Sequence, residues 1–281
     1  MDTGAATTTV IDNSGTITGN AAGTVDGDGI DVDGLIDLDN HGLIQVFGTS
    51  SVSLSEAITL GGGTINNFAD GTIRSVQRAI TVDDSNLGNA FAATTIYNEG
   101  LIQGDNGEAI VIIGAFADTI TNKGAIAGSV VTGGGNDSIN LFTGSSISGL
   151  IDGGAGTDAL NLQGTGTGTV ANLTHLEVVN LLDGTWTLGS EGFDSVNFVG
   201  GAQTVHLAAT TLADNHFDGT FTGFGSGDVI DLVGVVGKEA TLGTGNVLTI
   251  LLTSGGLITL QLDPGASYAG QVFTMTSDGA G

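Results

Sequence analysis

One phrase recurs five times in the first half of the chain: an Asn, a Gly shortly after it, and an Ile two residues beyond the Gly. It reads Asn13-Ser-Gly15-Thr-Ile17, Asn40-His-Gly42-Leu-Ile44, Asn67-Phe-Ala-Asp-Gly71-Thr-Ile73, Asn98-Glu-Gly100-Leu-Ile102 and Asn122-Lys-Gly124-Ala-Ile126. Successive glycines are 27, 29, 29 and 24 residues apart. A period in that range marks a solenoid, in which each repeat is one supersecondary unit that buries its apolar face only by stacking on the next.

Asn and Gly tolerate left-handed backbone conformations, so Asn-x-Gly before a β-branched residue predicts a tight corner leading into a strand. A second phrase sets a small residue before an Ile and another apolar residue two positions on: Gly29-Ile30-Asp-Val32, Ala57-Ile58-Thr-Leu60, Ala79-Ile80-Thr-Val82 and Ala109-Ile110-Val-Ile112. Apolar-polar alternation of this kind is that of a strand with one buried face. Each repeat is therefore expected to supply at least two short strands. Further on come four apolar-Asn-apolar triplets, Ile139-Asn140-Leu141, Leu160-Asn161-Leu162, Val179-Asn180-Leu181 and Val196-Asn197-Phe198, stepping by 21, 19 and 17 residues. With the flanking residues inward, strand geometry turns all four Asn side chains outward, where stacking aligns them in a column of amides.

The expected fold is all-β: a parallel β-helix (β-solenoid) with a C-terminal β-hairpin cap. Three stretches differ in texture. Residues 1–130 carry the long repeats, 131–210 the shorter repeats with the Asn column, and 211–281 the last coils or a cap. In the third, Phe217, Phe221 and Phe224 precede Asp228-Val-Ile-Asp-Leu232, and Val247–Leu252, a Gly255-Gly256 turn and Leu257–Leu262 read as a hairpin. A last strand is expected over Gln271–Thr276. Fifty Gly, one Pro and 40% hydrophobic residues suit many tight turns around a narrow aliphatic interior, and no 3.6-residue apolar stripe argues for helix.

Thirty acidic residues face only four basic ones, Arg74, Arg78, Lys123 and Lys238, for a net charge of −26. Such a surface repels nucleic acid and anionic membranes, and favours cations or a positively charged partner. There is no Cys, which removes disulfides, thiolate catalysis and Cys-ligated metals. Met1-Asp2-Thr3-Gly4 shows neither the basic nor the apolar region of a secretory leader. The longest apolar run, Ala109–Ala117, is nine residues, too short to span a membrane.

Gly153-Gly-Ala-Gly-Thr-Asp158-Ala-Leu160-Asn matches the calcium-binding nonapeptide of repeats-in-toxin proteins, and Thr132-Gly-Gly-Gly-Asn-Asp137-Ser-Ile139-Asn matches it except at the first residue. Asp137 and Asp158 are thus candidate calcium ligands, although neither copy is followed directly by another. Failing that, they are turn-capping aspartates in Gly-rich corners. In the acid-rich run from Asp26 to Asp39, Ile30 and the lack of a later Glu break the EF-hand frame. The pairs Asp31/Asp33 and Asp37/Asp39 each share one strand face, read as outward and hydrated. Asp83-Asp84 is the only adjacent acid pair, and His41, His175, His206 and His216 show no ligand spacing. Trp186 follows a turn and is expected in the core. No catalytic residues are assigned.

Thr119-Ile-Thr-Asn-Lys-Gly-Ala-Ile-Ala-Gly128, Gly133-Gly-Gly-Asn-Asp137, Gly153-Gly-Ala-Gly-Thr-Asp158 and Gly184-Thr-Trp-Thr-Leu188 resemble passenger regions of bacterial autotransporters and related large adhesins. The tail, Phe224-Gly-Ser-Gly-Asp-Val-Ile-Asp-Leu232 through Gly279, looks like a module of secreted Gram-negative surface proteins. The resemblance implies a right-handed parallel β-helix, export to the cell surface, and adhesion to a receptor, matrix or glycan. The barrel that usually follows a passenger is not seen, which departs from the family pattern. The expected function is a non-enzymatic extracellular scaffold of adhesin type. The alternatives are a filament or surface-layer subunit that binds copies of itself end to end, and a glycan-active β-helical enzyme working through Asp83 and Asp84.

Overall fold

Five times the chain runs out a strand, turns just after an Asn, and starts a second strand at the residue directly after the Gly. The strands ending in that Asn are Thr8–Asn13, Leu35–Asn40, Gly63–Asn67, Thr94–Asn98 and Thr119–Asn122. Those that follow are Thr16–Asn20, Leu43–Phe47, Thr72–Ser75, Leu101–Ile112 and Ala125–Val131. The computed structural model describes residues 7–20, 22, 27–48, 55–83, 88–189, 192–208, 212 and 215–276. Among them the protein is all-β with no α-helix, its strands joined mainly in parallel. No helix among these residues is long and apolar enough to cross a membrane.

The chain divides into two compact units, Met1–Leu160 with Thr174–Leu176, and Asn161–Leu173 with Glu177–Gly281. The division falls inside the stretch 131–210 rather than at either of its ends.

In the first unit, each strand pairs in parallel with its counterpart one repeat later, so like residues meet. In one sheet the register aligns Ile11, Leu38, Ile65, Ile96, Ile120 and Ile139. In a second it aligns Ile17, Ile44, Ile73, Ile102, Ile126 and Ile147. The small-Ile phrase forms a third set of strands, with Ile30, Ile58, Ile80 and Ile110 in line. Leu38, Ile44, Ile65, Ile73, Ile96, Ile102 and Ile120 are completely buried. At roughly 1.5–3 kcal/mol for each such side chain, these aliphatic columns are the main stabilising term.

The corner at Asn-x-Gly is present, but its cause differs from the one expected. None of the five Asn and none of the five Gly has a positive φ. Glycine is required there for space. A Cβ on Gly42 would lie 2.2 Å from the Gly15 carbonyl oxygen, on Gly71 2.4 Å from that of Asn40, on Gly100 2.2 Å from that of Gly71, and on Gly124 2.3 Å from that of Gly100. Consecutive repeats approach too closely at this point for any side chain. Left-handed glycines occur instead in the corners at Gly133, Gly135, Gly154 and Gly156, where the Gly134-Gly135 and Ala155-Gly156 segments pair in parallel.

The second unit carries a four-stranded sheet of Thr167–Val170, Thr185–Leu188, Thr204–Leu207 and Val229–Leu232, with Trp186, Leu188, Val205 and Leu207 buried. Trp186 is in the core as expected. Its indole nitrogen donates to the Asp183 carbonyl oxygen at 3.1 Å, and Gly168 leaves room for the ring. The hairpin forms between Val247–Leu252 and Leu257–Leu262, and a third strand, Gly237–Leu242, extends it into an antiparallel meander. Leu257–Leu262 also pairs in parallel with His216–Thr222. Phe193, Phe198, Phe217 and Phe221 form an aromatic cluster beside it, with Phe217 and Phe221 stacked at 4.7 Å. Gln271–Thr276 is not a strand. Phe273 lies against Phe224 and Tyr268, so its side chains rather than a backbone ladder hold the segment.

Candidate functional site

The recurring polar residues are gathered into columns that join one repeat to the next. Asn13 Nδ2 donates to Asn40 Oδ1 at 2.8 Å, Asn40 to Asn67 at 2.7 Å, Asn67 to Asn98 at 2.8 Å and Asn98 to Asn122 at 2.8 Å. Asn40, Asn67, Asn98 and Asn122 are completely buried. The same amides bond the corner: Asn13, Asn40 and Asn122 accept the N–H of Gly15, Gly42 and Gly124. Each side chain thus satisfies the turn it belongs to and the repeat beside it. Every amide in the column donates toward the C-terminal side.

The outward column is also present. In the second unit Asn180 Nδ2 donates to Asn161 Oδ1 at 2.8 Å, Asn197 Nδ2 to Asn180 Oδ1 at 2.9 Å, and the Thr222 hydroxyl to Asn197 Oδ1 at 3.1 Å. In the first unit Asn140 Nδ2 donates to Thr121 Oγ1 at 3.3 Å.

A third column is made of carboxylates. The Thr94 N–H donates to Asp118 Oδ1 at 2.5 Å, the Asp118 N–H to Asp137 Oδ1 at 2.8 Å and the Asp137 N–H to Asp158 Oδ1 at 2.7 Å. All three aspartates are buried. The structure therefore brings Asp137 and Asp158 together with Asp118 and uses one oxygen of each to tie adjacent repeats. Among the described residues, no group of three or more His, Asp or Glu side chains is arranged to hold a metal ion. Asp118 was not singled out in the sequence. The signal was there: Asp118-Thr-Ile120, Asp137-Ser-Ile139 and Asp158-Ala-Leu160 all set an Asp two residues before an inward aliphatic side chain.

The second oxygen of Asp118 is buried with no hydrogen-bond partner among the described residues. Burial pushes the Asp118 carboxyl up to about 7, against the bond from Thr94 and with the help of the Asp137 charge. Burial also raises Asp137, against the Asp118 N–H bond and the Thr132 hydroxyl. A raised carboxyl is protonated in the folded chain where the unfolded chain would be ionised. The stability it contributes is complete below about pH 4 and is lost as pH rises through about 7. Between pH 5.5 and 8 the wild type is expected to lose about 2 kcal/mol more than Asp118→Asn, which keeps the acceptor oxygen and cannot titrate. Thermal or urea unfolding at the two pH values measures the difference, and equal losses would refute it.

Elsewhere the acidic surface is as expected: Asp31, Asp33, Asp37 and Asp39 are exposed, and Asn66 Nδ2 donates to Asp39 Oδ1 at 2.8 Å. Asp26 and Asp84 lie outside the described residues. Asp83 is buried and its N–H donates to the Leu60 carbonyl oxygen. Each histidine sits beside an aspartate, His41 with Asp70, His175 with Asp152, His206 with Asp231 and His216 with Asp218. Pairs this exposed contribute little. Lys123 lies over the Tyr97 and Phe142 rings and donates to the Tyr97 hydroxyl at 2.8 Å, which raises its pKa.

The second unit contains a groove of about 820 Å³ between Val229–Leu232 and the meander, lined in part by His206, Asp228, Asp231, Lys238, Tyr268 and Phe273. Asp228 is occupied there, accepting the N–H groups of Gln203 at 3.0 Å and Gly225 at 2.8 Å.

Neither family models nor curated proteins nor solved structures give any match to the chain.

Proposed function

We propose that the chain is a β-solenoid scaffold, a right-handed parallel β-helix displayed outside the cell, whose work is adhesion. The observation that carries this reading is the fate of the repeated polar residues. The Asn of the five-fold phrase and the Asp of the nonapeptide-like phrase are buried in columns that bond coil to coil. The most regular chemistry of the sequence is thereby committed to rigidity. Beside the outward Asn column the surface is acidic, suited to a receptor, matrix or glycan with positive charge.

The chain immobilised on a surface is expected to retain bacterial cells or a basic matrix protein in low salt, with retention falling several-fold as ionic strength reaches about 0.5 M. Failure to retain anything across a panel of cells, matrix proteins and glycans would overturn adhesion. Turnover of a polysaccharide by the wild type that disappears in Asp83→Asn would replace it with the enzymatic reading.

A filament built end to end has one observation in its favour. Among the described residues the strand Thr8–Asn13 is a sheet edge in the first unit, and Val10 on it is 74% exposed.

A further inference from the structure

We infer that Arg74 anchors a carboxylate-binding site on the outward face of the sheet that holds Leu43–Phe47, Thr72–Ser75 and Leu101–Ile112. The inference goes beyond adhesion and does not depend on it. Thirty acidic residues outnumber four basic ones, yet Arg74 forms no ion pair among the described residues, whereas Arg78 is 2.7 Å from Glu108 and Lys123 is 3.8 Å from Glu99.

Ile73 and Ser75 on either side of Arg74 are buried, so strand alternation turns the Arg74 side chain outward, where it is exposed. The register sets Gln45 beside it on one neighbouring strand and Gln103 on the other, both uncharged. Arg74 Nε donates to Gln45 Oε1 at 3.2 Å, and Nη2 donates to the same oxygen at 2.7 Å. Gln45 is held in turn, since it is only 8% exposed and its Nε2 donates to Thr18 Oγ1 at 3.3 Å. The guanidinium also lies over the Phe47 ring, with its carbon 5.8 Å from the ring centre. A long side chain free to sample many rotamers is thereby fixed on a rigid strand.

A guanidinium carries five N–H donors in a planar fork, and Arg74 spends two of them on one oxygen. The other three, on Nη1 and Nη2, have no acceptor among the described residues. Asp105, two residues beyond Gln103, does not fill the place, because it accepts the Gln103 amide at 2.6 Å instead. The open edge of the fork presents two parallel N–H groups, which the two oxygens of a carboxylate match. Because neutral partners already orient the fork, a ligand binds without first having to order it.

The net charge of −26 selects the ligand. A polyanion would carry its further charges over acidic surface and be repelled. A single carboxylate needs only the Arg74 charge and the neutral side chains beside it, because acids more than about 8 Å away are screened at physiological ionic strength. The site therefore takes a small monocarboxylate, whether the carboxylate is borne by a sugar acid or by an acylated amino acid.

The test uses the full chain at fixed ionic strength, with glucuronate and N-acetylalanine as the two carboxylate probes, and glucose and N-acetylalanine amide as their uncharged counterparts. Arg74 and Arg78 are the only arginines, so their side-chain Nε–H signals in NMR report position directly. At least one carboxylate is expected to shift the Arg74 signal saturably and leave Arg78 unmoved, and the stronger of the two identifies the source of the ligand. The uncharged counterparts should shift neither signal. Arg74→Lys keeps the charge but loses the fork, and Gln45→Met frees the fork from its acceptor; each should weaken binding roughly fivefold or more, read from saturation transfer on the ligand. Arg74→Lys is at an exposed position and decides the matter even where Gln45→Met perturbs folding. No saturable shift with either carboxylate, equal shifts at Arg74 and Arg78, or undiminished binding by Arg74→Lys would overturn the site.

Discussion

Alanine at Gly100 is expected to cost roughly 3–5 kcal/mol, whereas alanine at Gly15 leaves stability within about 0.5 kcal/mol of the wild type. The two glycines occupy the same place in the repeated phrase and neither has a positive φ, so backbone strain is equal and drops out of the comparison. Only the surroundings differ. A Cβ on Gly100 would lie 2.2 Å from the Gly71 carbonyl oxygen, 2.5 Å from that of Phe68 and 2.9 Å from Asn67 Nδ2. The first two are backbone atoms, and the third ends a side chain held by its bonds to Gly71, Asn98 and Leu101. Relief requires the two repeats to separate, which stretches the bond from the Leu101 N–H to Gly71 O, now 3.1 Å, and the Asn67–Asn98 link beside it. Urea unfolding of both variants measures the contrast. Equal stability at the two positions would mean that the repeats do not approach as closely as the structure has them.

The all-β class, the aliphatic columns, the hairpin and the outward Asn column were legible in the sequence because each follows from a short period read along one strand. Ile139, Leu160, Val179 and Val196 reveal their direction by alternation alone. The role of the five Asn was not legible for a physical reason. An Asn before a Gly satisfies two rules at once, local turn chemistry and burial with a partner, and the turn explanation is complete within one repeat. The second explanation appears only when Asn40 and Asn67 are seen to lie opposite one another across a 27-residue separation. Glycine carries the same ambiguity, since Gly133 needs its left-handed backbone while Gly42 needs only its missing side chain. The nonapeptide likeness drew attention to Asp137 and Asp158 and away from Asp118, which has no Gly-rich loop before it but shares their column. The strand expected over Gln271–Thr276 failed because an alternating pattern with aromatic residues serves equally for a segment pinned by ring contacts.

Replacing Asn67 tests the buried ladder at its centre. The Asn67 amide accepts from Asn40, donates to Asn98 and reaches the carbonyl oxygen of Gly71 at 3.4 Å, all buried, and the part-buried one of Leu101 at 3.2 Å. Asn67→Ala removes these bonds, strands the Asn98 acceptor, and leaves the Asn40 donor only its long bonds to the Gly42 and Thr72 carbonyl oxygens at 3.3 and 3.5 Å. With about 1–3 kcal/mol for each stranded group, a loss of roughly 3–5 kcal/mol is expected. Asn67→Asp is nearly the same size and still accepts from Asn40, yet it should be at least as damaging near neutral pH. Its second oxygen would face Asn98 Oδ1, acceptor against acceptor, with a charge in a dry column and no cation to match it. Acid should then rescue it, because a protonated carboxyl can donate to Asn98 as the amide did. Asn67→Asp is therefore expected to approach wild-type stability as pH falls toward 4, while Asn67→Ala stays destabilised across the whole range. Unfolding curves at pH 4.5 and 7.5 separate the two outcomes. An Asp variant as stable as wild type at pH 7.5 would mean that the Asn column is wet, and that the bonds between repeats are carried by the backbone and the aliphatic columns alone.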